Sequence, residues 1–351
     1  MSSPSQQPQP QPHFQTARPS SGPRKLSREQ VPQCWGHRGA SAAFPENTLA
    51  SFEAAIKDGA EGIESDVHIT ADGEIVMFHD PLLDRTTNGT GRIQTQAYHG
   101  VLDQLRTNKS PHQKIPTLKE TIELLMRPEA MHVSLNIDVK VDNDPEKLFP
   151  LIDKIVRGYE GFETKLGPRL VLGLWHPKYV EPAQRILPYI RCAHIGMSPS
   201  LARKYFWDAC DSFSMNFGCL VGVDGEKFRE ECKKAGKDLY VWTVNDRREM
   251  IEATKWGARA ILTDKTQALL DLRAECEQDW DKVSKETSRL FPWTSLYYTS
   301  VFNYVLASWE SYLLTKVGGK MSVPVPSRSS SPDLPGPAVP HAAGIPTRIG
   351  A

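Results

Sequence analysis

The 351-residue chain lacks any surplus of charge, since 42 lysines and arginines balance 42 aspartates and glutamates. Balanced charge argues against a general attraction to nucleic acid, and we expect no nucleic-acid partner. The six cysteines include no Cys-x-x-Cys pair, which favours buried thiols in a reducing compartment over a disulfide framework or a zinc site. No apolar run of signal-peptide length stands near the N-terminus, so we do not expect secretion.

Two stretches have little apolar material to bury. Residues 1–32 are rich in proline, glutamine and serine, and residues 318–351 are rich in proline, glycine and serine. Such segments cannot gain enough hydrophobic burial to offset their loss of conformational entropy. We therefore predict a disordered leader over 1–32 and a disordered tail over 318–351.

Residues 33–275 alternate between strand-like and helix-like segments. Short apolar runs predict eight strands, and amphipathic stretches between them predict helices. This alternation predicts a parallel sheet, and eight such units predict a closed (β/α)₈, or TIM, barrel. The predicted strands are Gln33–Gly36, Gly62–Val67, Val133–Val139, Leu170–Trp175, Arg191–Ile195, Ser212–Phe217, Leu239–Val244 and Ala260–Leu262. The predicted helices are Thr48–Lys57, Leu118–Met126, Glu146–Val156, Val180–Leu187, Leu201–Ala209, Gly225–Lys234 and Arg247–Trp256.

A further strand-like run, Ile75–His79, does not fit this count. It follows the second strand too closely for a parallel crossover, which needs about a dozen residues or more. The turn pair Asp72-Gly73 lies between the two runs. We therefore predict a β-hairpin on the second strand. Folding back at the turn would place His79 opposite Glu64 and Asp66.

Three carboxylates fall near the carboxyl ends of predicted strands, where barrels of this type carry their chemistry. Glu64 and Asp66 are two residues apart and therefore share one face of their strand, and Asp138 belongs to the next barrel strand. Oxygen ligands without neighbouring cysteine or histidine ligands suit Mg²⁺ or Ca²⁺ better than zinc. We predict that these three residues bind a divalent cation. The alternative, in which two of them cap turns or face solvent, is disfavoured by their apolar neighbours in sequence.

Two histidines and two cationic residues occupy neighbouring strand ends. His37 and His79 are predicted to act as general acid and general base, in an order that the sequence leaves open. Arg38 and Lys140 are predicted to bind a phosphate group, because guanidinium and ammonium groups match its oxygens. The alternative for both is a salt bridge to the same carboxylates. Together these residues predict metal-assisted cleavage of a phosphate ester.

Two more residues carry weaker signals. Trp242 is predicted to form a wall of the pocket, with packing in the core as an equal alternative. Asn47 precedes a predicted helix and is expected only to cap it.

These motifs resemble those of the glycerophosphodiester phosphodiesterase family over about residues 34–272. The resemblance implies a TIM barrel of the phospholipase C-like phosphodiesterase type, a divalent cation and hydrolysis of a phosphodiester. Asp138 departs from the family pattern, in which glutamate is usual, and this puts the depth of the cation in question. The matching motifs are His37-Arg38-Gly39, Pro45-Glu46-Asn47-Thr48, Glu64-Ser65-Asp66, His79-Asp80, Asp138-Val139-Lys140 and Leu262-Thr263-Asp264.

The later half is similar to the fungal phosphatidylglycerol phospholipase C branch of this family. That closer resemblance implies hydrolysis of phosphatidylglycerol to diacylglycerol and glycerol 3-phosphate. Two alternatives stay open: a phosphodiesterase for soluble glycerophosphodiesters, and a non-catalytic barrel that binds lipid or phosphate. The motifs are Leu172-Gly173-Leu174-Trp175, Ile195-Gly196-Met197-Ser198 and Tyr240-Val241-Trp242-Thr243-Val244-Asn245.

Residues 276–317 follow the predicted barrel and include a stretch rich in aromatic residues. The twenty residues between Arg289 and Glu310 carry no charge, but their serines, threonines and asparagine make them too polar for a comfortable membrane span. Aromatic residues concentrate at membrane interfaces. We therefore predict that residues 291–317 associate with a membrane surface, with an extra helix packed on the barrel as the alternative. The family resemblance implies an intracellular location on the endoplasmic reticulum, lipid droplets or mitochondria.

Overall fold

Eight parallel strands close into a barrel in the computed structural model, which describes residues 23–288, 291, 298 and 300–324. Neighbouring strands pair in the order β1-β9-β8-β7-β6-β5-β4-β2, and β1 pairs with β2 to close the ring. The predicted TIM barrel is therefore confirmed. The strands are β1 (Gln33–His37), β2 (Gly62–Ile69), β3 (Ile75–Met77), β4 (Ser134–Val139), β5 (Leu170–Leu174), β6 (Arg191–Gly196), β7 (Ser212–Asn216), β8 (Asp238–Trp242) and β9 (Ala260–Thr263).

Helices connect the strands and cover the outside of the barrel. Seven overlap the predicted helices, whereas the eighth was not predicted and runs across the predicted boundary after residue 275. The fifth begins two residues before the predicted start, because Ser198 caps it and Pro199 takes the first helical position. The helices are α1 (Leu49–Asp58), α2 (Leu118–Leu125), α3 (Pro145–Arg157), α4 (Val180–Ile186), α5 (Pro199–Tyr205), α6 (Gly222–Lys234), α7 (Arg247–Lys255), α8 (Thr266–Val283) and α9 (Ser300–Gly318).

The barrel interior is filled by side chains below the strand ends that carry the predicted site. Trp35, two residues before His37 on β1, stacks on Tyr240 of β8 with ring centroids 5.1 Å apart. Gly62 of β2 makes room for this indole, since a Cβ there would lie only 2.2 Å from the Trp35 ring. The packed layer supports the site from beneath.

The hairpin on the second barrel strand is confirmed. β3 pairs antiparallel with β2, with Met77 opposite Val67, and the amide of Phe78 donates to the carbonyl of Asp66. β3 is shorter than predicted, and His79 lies just beyond its end. The following insertion, up to about residue 115, has a core of its own, formed by Val76, Phe78, Leu83, Ile93, Tyr98, Leu102 and Ile115.

The segment before β1 packs against α8. Residues 1–22 of the predicted disordered leader lie outside the described residues, as do residues 325–351 of the predicted tail. Residues 23–32 are ordered: Leu26 and Val31 are buried, and the amide of Leu26 donates to the carbonyl of Cys276. The prediction of disorder needs correction for residues 23–32, because the apolar side chains of Leu26 and Val31 are buried although the surrounding sequence is polar.

α9 lies over the carboxyl ends of β5 and β6. Oε1 of Glu310 accepts a 2.8 Å hydrogen bond from the amide of Met197, and a ring nitrogen of His176 lies 3.1 Å from the carbonyl of Gly319. The described part of the segment 291–317 therefore contacts the barrel, whereas residues 292–297 and 299 lie outside the described residues. Among the described helices, none is both long enough and apolar enough to cross a bilayer. Association with a membrane surface stays a prediction.

Candidate active site

All eight residues predicted for the site line one pocket at the carboxyl ends of the strands. The cavity measures about 110 Å³. It contains the three carboxylates, both histidines and both cations, with aromatic and apolar side chains forming the rest of its wall. Its lining residues are His37, Arg38, Glu64, Asp66, His79, Asp138, Lys140, Trp175, Ile195, Ser214, Trp242 and Leu262.

The three carboxylates form one buried cluster because of strand register. Asp66 of β2 pairs directly with Asp138 of β4, and Glu64 lies on the same face as Asp66. One oxygen from each residue falls within 4.8 Å of the others, and the three side chains are almost wholly buried. An all-oxygen donor set of this kind fits Mg²⁺ or Ca²⁺. Glu64, Asp66 and Asp138 would hold such a cation, which supplies Lewis-acid polarisation of a phosphate oxygen when bound.

The neighbouring cations compensate the charges of the three carboxylates to different extents. Burial, together with the charges of Asp66 and Asp138, raises the pKa of Glu64 well above its ordinary value. Burial also raises the pKa of Asp138, to about 6, although Lys140 acts against this. Asp66 is also buried, but the Lys140 and Arg38 cations hold its pKa well below its ordinary value. The cluster therefore has an excess of negative charge around Glu64, which an added cation would neutralise.

Arg38 and Lys140 are both ion-paired to carboxylates in this structure. Nζ of Lys140 lies 2.5 Å from Asp66 and 2.8 Å from Asp138. The Arg38 guanidinium lies 2.9 Å from Glu46 and 3.4 Å from Asp66. This is the salt-bridged arrangement given above as the alternative, and phosphate binding by the two residues stays a prediction.

His37 is held by a carboxylate at the end of β9. Nδ1 of His37 lies 2.7 Å from Oδ1 of Asp264, and Asp264 also accepts hydrogen bonds from Ser41 and Asn245. These bonds keep the pKa of Asp264 at about 2 despite its burial. An ionised Asp264 fixes the ring orientation of His37, whose Nε2 lies 3.8 Å from Glu64. Asp264 ends the Leu262-Thr263-Asp264 motif, which does not by itself indicate this contact with His37.

His79 has a matching partner in the next residue. Its Nδ1 lies 2.7 Å from Oδ1 of Asp80, and Arg85 in turn bridges Asp80 and Glu46. Burial, with the nearby Lys140 and Arg38 cations, lowers the pKa of His79 to about 4 although Asp66 acts against this. The imidazole is therefore neutral at physiological pH in this state of the site. Asp80 and Arg85 hold His79 in place; the His79-Asp80 motif contains Asp80 without indicating this contact.

Trp242 lies in the pocket wall beside a second tryptophan, Trp175. Trp242 donates from Nε1 to the carbonyl of Ser214, and its ring meets Trp175 edge-on with centroids 5.6 Å apart. Nε1 of Trp175 donates a 2.8 Å hydrogen bond to Oδ1 of Asp138. Trp175 thus fixes the orientation of a predicted metal ligand. The Leu172-Gly173-Leu174-Trp175 motif contains this residue at the end of a predicted strand but does not indicate its contact with Asp138.

Asn47 has a larger role than helix capping, and the expectation that it only caps the helix is wrong. Thr48 is the N-cap of α1. Asn47 instead donates a 2.7 Å hydrogen bond to Oδ2 of Asp66 and accepts one from the hydroxyl of Ser65. It adopts a left-handed backbone with φ of 56°, which asparagine tolerates better than most residues. Asn47 therefore orients a carboxylate of the cluster from the loop before α1.

Comparison with known families identifies the chain's relatives. Residues 37–268 match the Glycerophosphoryl diester phosphodiesterase family. The chain belongs to this family. It is therefore a phosphoric diester hydrolase, and the members of this family depend on a divalent metal ion.

Individual relatives bear this name as well. A glycerophosphodiester phosphodiesterase of Caldanaerobacter subterraneus subsp. tengcongensis is 28% identical over 248 residues, which cover 67% of this chain and 95% of that protein. Glycerophosphodiester phosphodiesterase 1 of Homo sapiens is 44% identical over 119 residues, which cover 28% of this chain and 36% of that protein.

Solved structures share the fold. A phosphodiesterase of Oleispira antarctica in complex with the product sn-glycerol-3-phosphate superposes with a TM-score of 0.59 at 24% identity, covering 70% of this chain and 97% of that one. A glycerophosphodiester phosphodiesterase from Agrobacterium tumefaciens superposes with a TM-score of 0.56 at 24% identity, covering 70% and 100% of the two chains.

Proposed function

We propose that this enzyme hydrolyses a glycerophosphodiester to sn-glycerol 3-phosphate and a free alcohol. The observation that carries the proposal is one pocket with three buried carboxylates and two histidines, each histidine bonded through Nδ1 to its own carboxylate. A carboxylate at Nδ1 leaves Nε2 as the nitrogen that exchanges protons with substrate. The relatives named above act on this class of compound according to their names, which supports the proposal.

Each side chain has one task in this reaction. One of His37 and His79 removes the proton from the attacking hydroxyl, and the other gives a proton to the departing alcohol oxygen. Lys140 and Arg38 bind the phosphate oxygens and offset the charge that develops on them. The attacking hydroxyl belongs either to water or to the glycerol itself, and the second route passes through a cyclic glycerol phosphate that water then opens. Trapping the cyclic ester distinguishes the two routes.

The test is product analysis on purified protein. Glycerophosphocholine is incubated with Mg²⁺, Ca²⁺ or a chelator, and released glycerol 3-phosphate is measured enzymatically. We expect release with a divalent cation and none with chelator. A His37→Ala/His79→Ala double variant should be inactive; hydrolysis retained by it would contradict the assigned roles. Binding of the diester without turnover by the unaltered protein would favour a non-catalytic barrel.

A second candidate substrate is phosphatidylglycerol, which would give diacylglycerol and glycerol 3-phosphate. The three motifs similar to the fungal phosphatidylglycerol phospholipase C branch and the aromatic residues of 291–317 support it. The corresponding partner is an intracellular membrane surface. Flotation with phosphatidylglycerol vesicles and release of diacylglycerol would support this candidate, whereas hydrolysis of glycerophosphocholine alone would contradict it.

A further inference from the structure

A second cavity of about 290 Å³ opens beside the active-site pocket. One side is formed by the ends of β4, β5 and β6 and the residues that follow them, and the other side by α9. Nearly all of its wall is hydrocarbon or aromatic. We call it the α9 groove, and its lining residues are Lys140, Val141, Trp175, Met197, Trp309, Glu310, Leu313, Leu314 and Val317.

The two charged residues of the α9 groove do not make it polar. Lys140 stands at its inner end, where its ammonium is paired with Asp66 and Asp138. Glu310 is buried, with one carboxylate oxygen bonded to the amide of Met197. The groove between them therefore offers apolar surface to any occupant.

α9 is attached to the barrel along the length of the groove. Glu310 bonds to the backbone after β6, Leu314 is buried, and Gly319 meets His176 one turn further on. Gly318 also packs closely, because a Cβ there would lie 2.4 Å from the His176 ring. Contacts between α9 and the barrel therefore run along the whole groove. Trp309 nevertheless stays 53% exposed at its outer edge, so the groove is open to an occupant.

The α9 groove is continuous with the active-site pocket. Lys140 and Trp175 line both cavities. One edge of the Trp175 indole donates to the metal-ligand candidate Asp138, while the residue also borders the groove. A phosphate held beside Lys140 therefore has one of its two ester substituents at the inner mouth of the groove.

We propose that the α9 groove binds an aliphatic chain carried by the alcohol that leaves the phosphate, so that the substrate is an amphiphilic glycerophosphodiester. This proposal rests on the proposed function, since it specifies the alcohol substituent of the same glycerophosphodiester. A small cationic head group such as choline would gain nothing from an apolar wall, because burying an unpaired charge there is unfavourable. The binding free energy of a hydrocarbon chain becomes more favourable with every methylene that it buries there.

A series of glycerophospho-n-alkyl esters tests the proposal, with chains from methyl to decyl, each assayed below and above its critical micelle concentration. We expect kcat/KM to rise with chain length by up to about fourfold per buried methylene, and then to level off once the groove is full. A flat dependence on chain length would overturn the groove assignment. A rise that occurs only above the micelle concentration would overturn it as well, because it would indicate binding to an aggregate surface.

The methyl ester separates this inference from the proposed function. If the unaltered enzyme hydrolyses no ester of the series, the proposed function fails. If it hydrolyses the methyl ester and shows no preference for longer chains, only the groove assignment fails.

Variants on α9 locate the effect. Trp309→Ala and Leu313→Asn should each lower kcat/KM for the decyl ester by about tenfold, which corresponds to the burial of one or two methylenes, and leave the methyl ester unaffected. Tyr312→Ala is the matched control, because Tyr312 is an exposed aromatic residue of the same helix outside the groove. Equal losses on both esters would contradict the proposal. If a variant fails to fold, the chain-length series on the unaltered enzyme still decides.

Discussion

Oδ1 of Asp264 lies 2.7 Å from Nδ1 of His37, and Oδ1 of Asp80 lies 2.7 Å from Nδ1 of His79. The two histidines therefore have the same kind of support on two different parts of the chain. Each carboxylate holds Nδ1 of its histidine, and in the proposed reaction it would stabilise the imidazolium that forms when Nε2 takes a proton.

Asp264→Asn should lower kcat by about 10- to 1000-fold with a smaller change in KM, because the loss of a positioned acid or base costs about 10²- to 10⁴-fold. The amide can donate to Nδ1 and so favour the tautomer with the proton on Nε2. Steady-state kinetics on glycerophosphocholine measures the effect. Ser41→Ala is the control, since it removes another bond to Asp264 and leaves the histidine contact in place; equal losses in the two variants would argue against the positioning role.

Asp138→Asn should weaken Mg²⁺ or Ca²⁺ binding by more than about 100-fold, because even outer-shell partners of a metal are worth about 10- to 100-fold in affinity. Titration calorimetry of the protein with each cation measures this directly. The nearby Asp142 lies outside the carboxylate cluster, and Asp142→Asn should bind the cation as the unaltered protein does. Unchanged affinity in Asp138→Asn would remove that residue from the metal site.

Asn47→Ala should destabilise the protein by about 1–3 kcal/mol through the lost hydrogen bond to buried Asp66, and by about 1 kcal/mol more because alanine at positive φ is strained. Asn47→Gly loses the same bond without the strain. Urea unfolding of the three proteins separates the two contributions. Equal stability of the alanine and glycine variants would show that the backbone conformation costs nothing.

Burial raises the pKa of Glu310 to about 7. A carboxyl whose pKa is higher in the folded state binds its proton more tightly there, so its contribution is lost as pH rises from about 4.5 to 7. At pH 8 the buried charge opposes docking of α9 by up to about 3 kcal/mol. Glu310→Gln should therefore protect α9 from proteolysis and amide exchange at pH 8 and have little effect at pH 4. If Glu310→Gln and the unaltered protein show equal protection of α9 at pH 8 as well as at pH 4, this expectation is contradicted.

The barrel and most of the pocket are predictable from the sequence because they depend on short periodic patterns. Alternation along β2 places Glu64 and Asp66 on one face, and the length of the turn before β3 is enough to bring His79 back to them. These are local relationships between residues less than twenty positions apart. The register between β2 and β4 then places Asp138 beside Asp66. This position follows once the two strands are predicted to be neighbours.

The missed residues act over long separations or through atypical geometry. Asp264 meets His37 across more than two hundred residues, and Glu310 meets Met197 across more than one hundred. Asn47 has the composition of a cap, and only its left-handed backbone turns its side chain to Asp66. α9 has no strong amphipathic pattern, so nothing in its own sequence indicates which surface it covers.

The insertion after β3 has its own small hydrophobic core, and His79 stands at its root while His37 stands on the barrel itself. Lys109 of the insertion donates to the carbonyls of Ser41, Ala42 and Phe44 in the loop after β1. The two histidines proposed to transfer protons thus stand on parts of the chain with different hydrophobic clusters, which Lys109 links. A change at Lys109, remote from the pocket, is therefore expected to alter the position of His79 relative to His37 without touching either histidine.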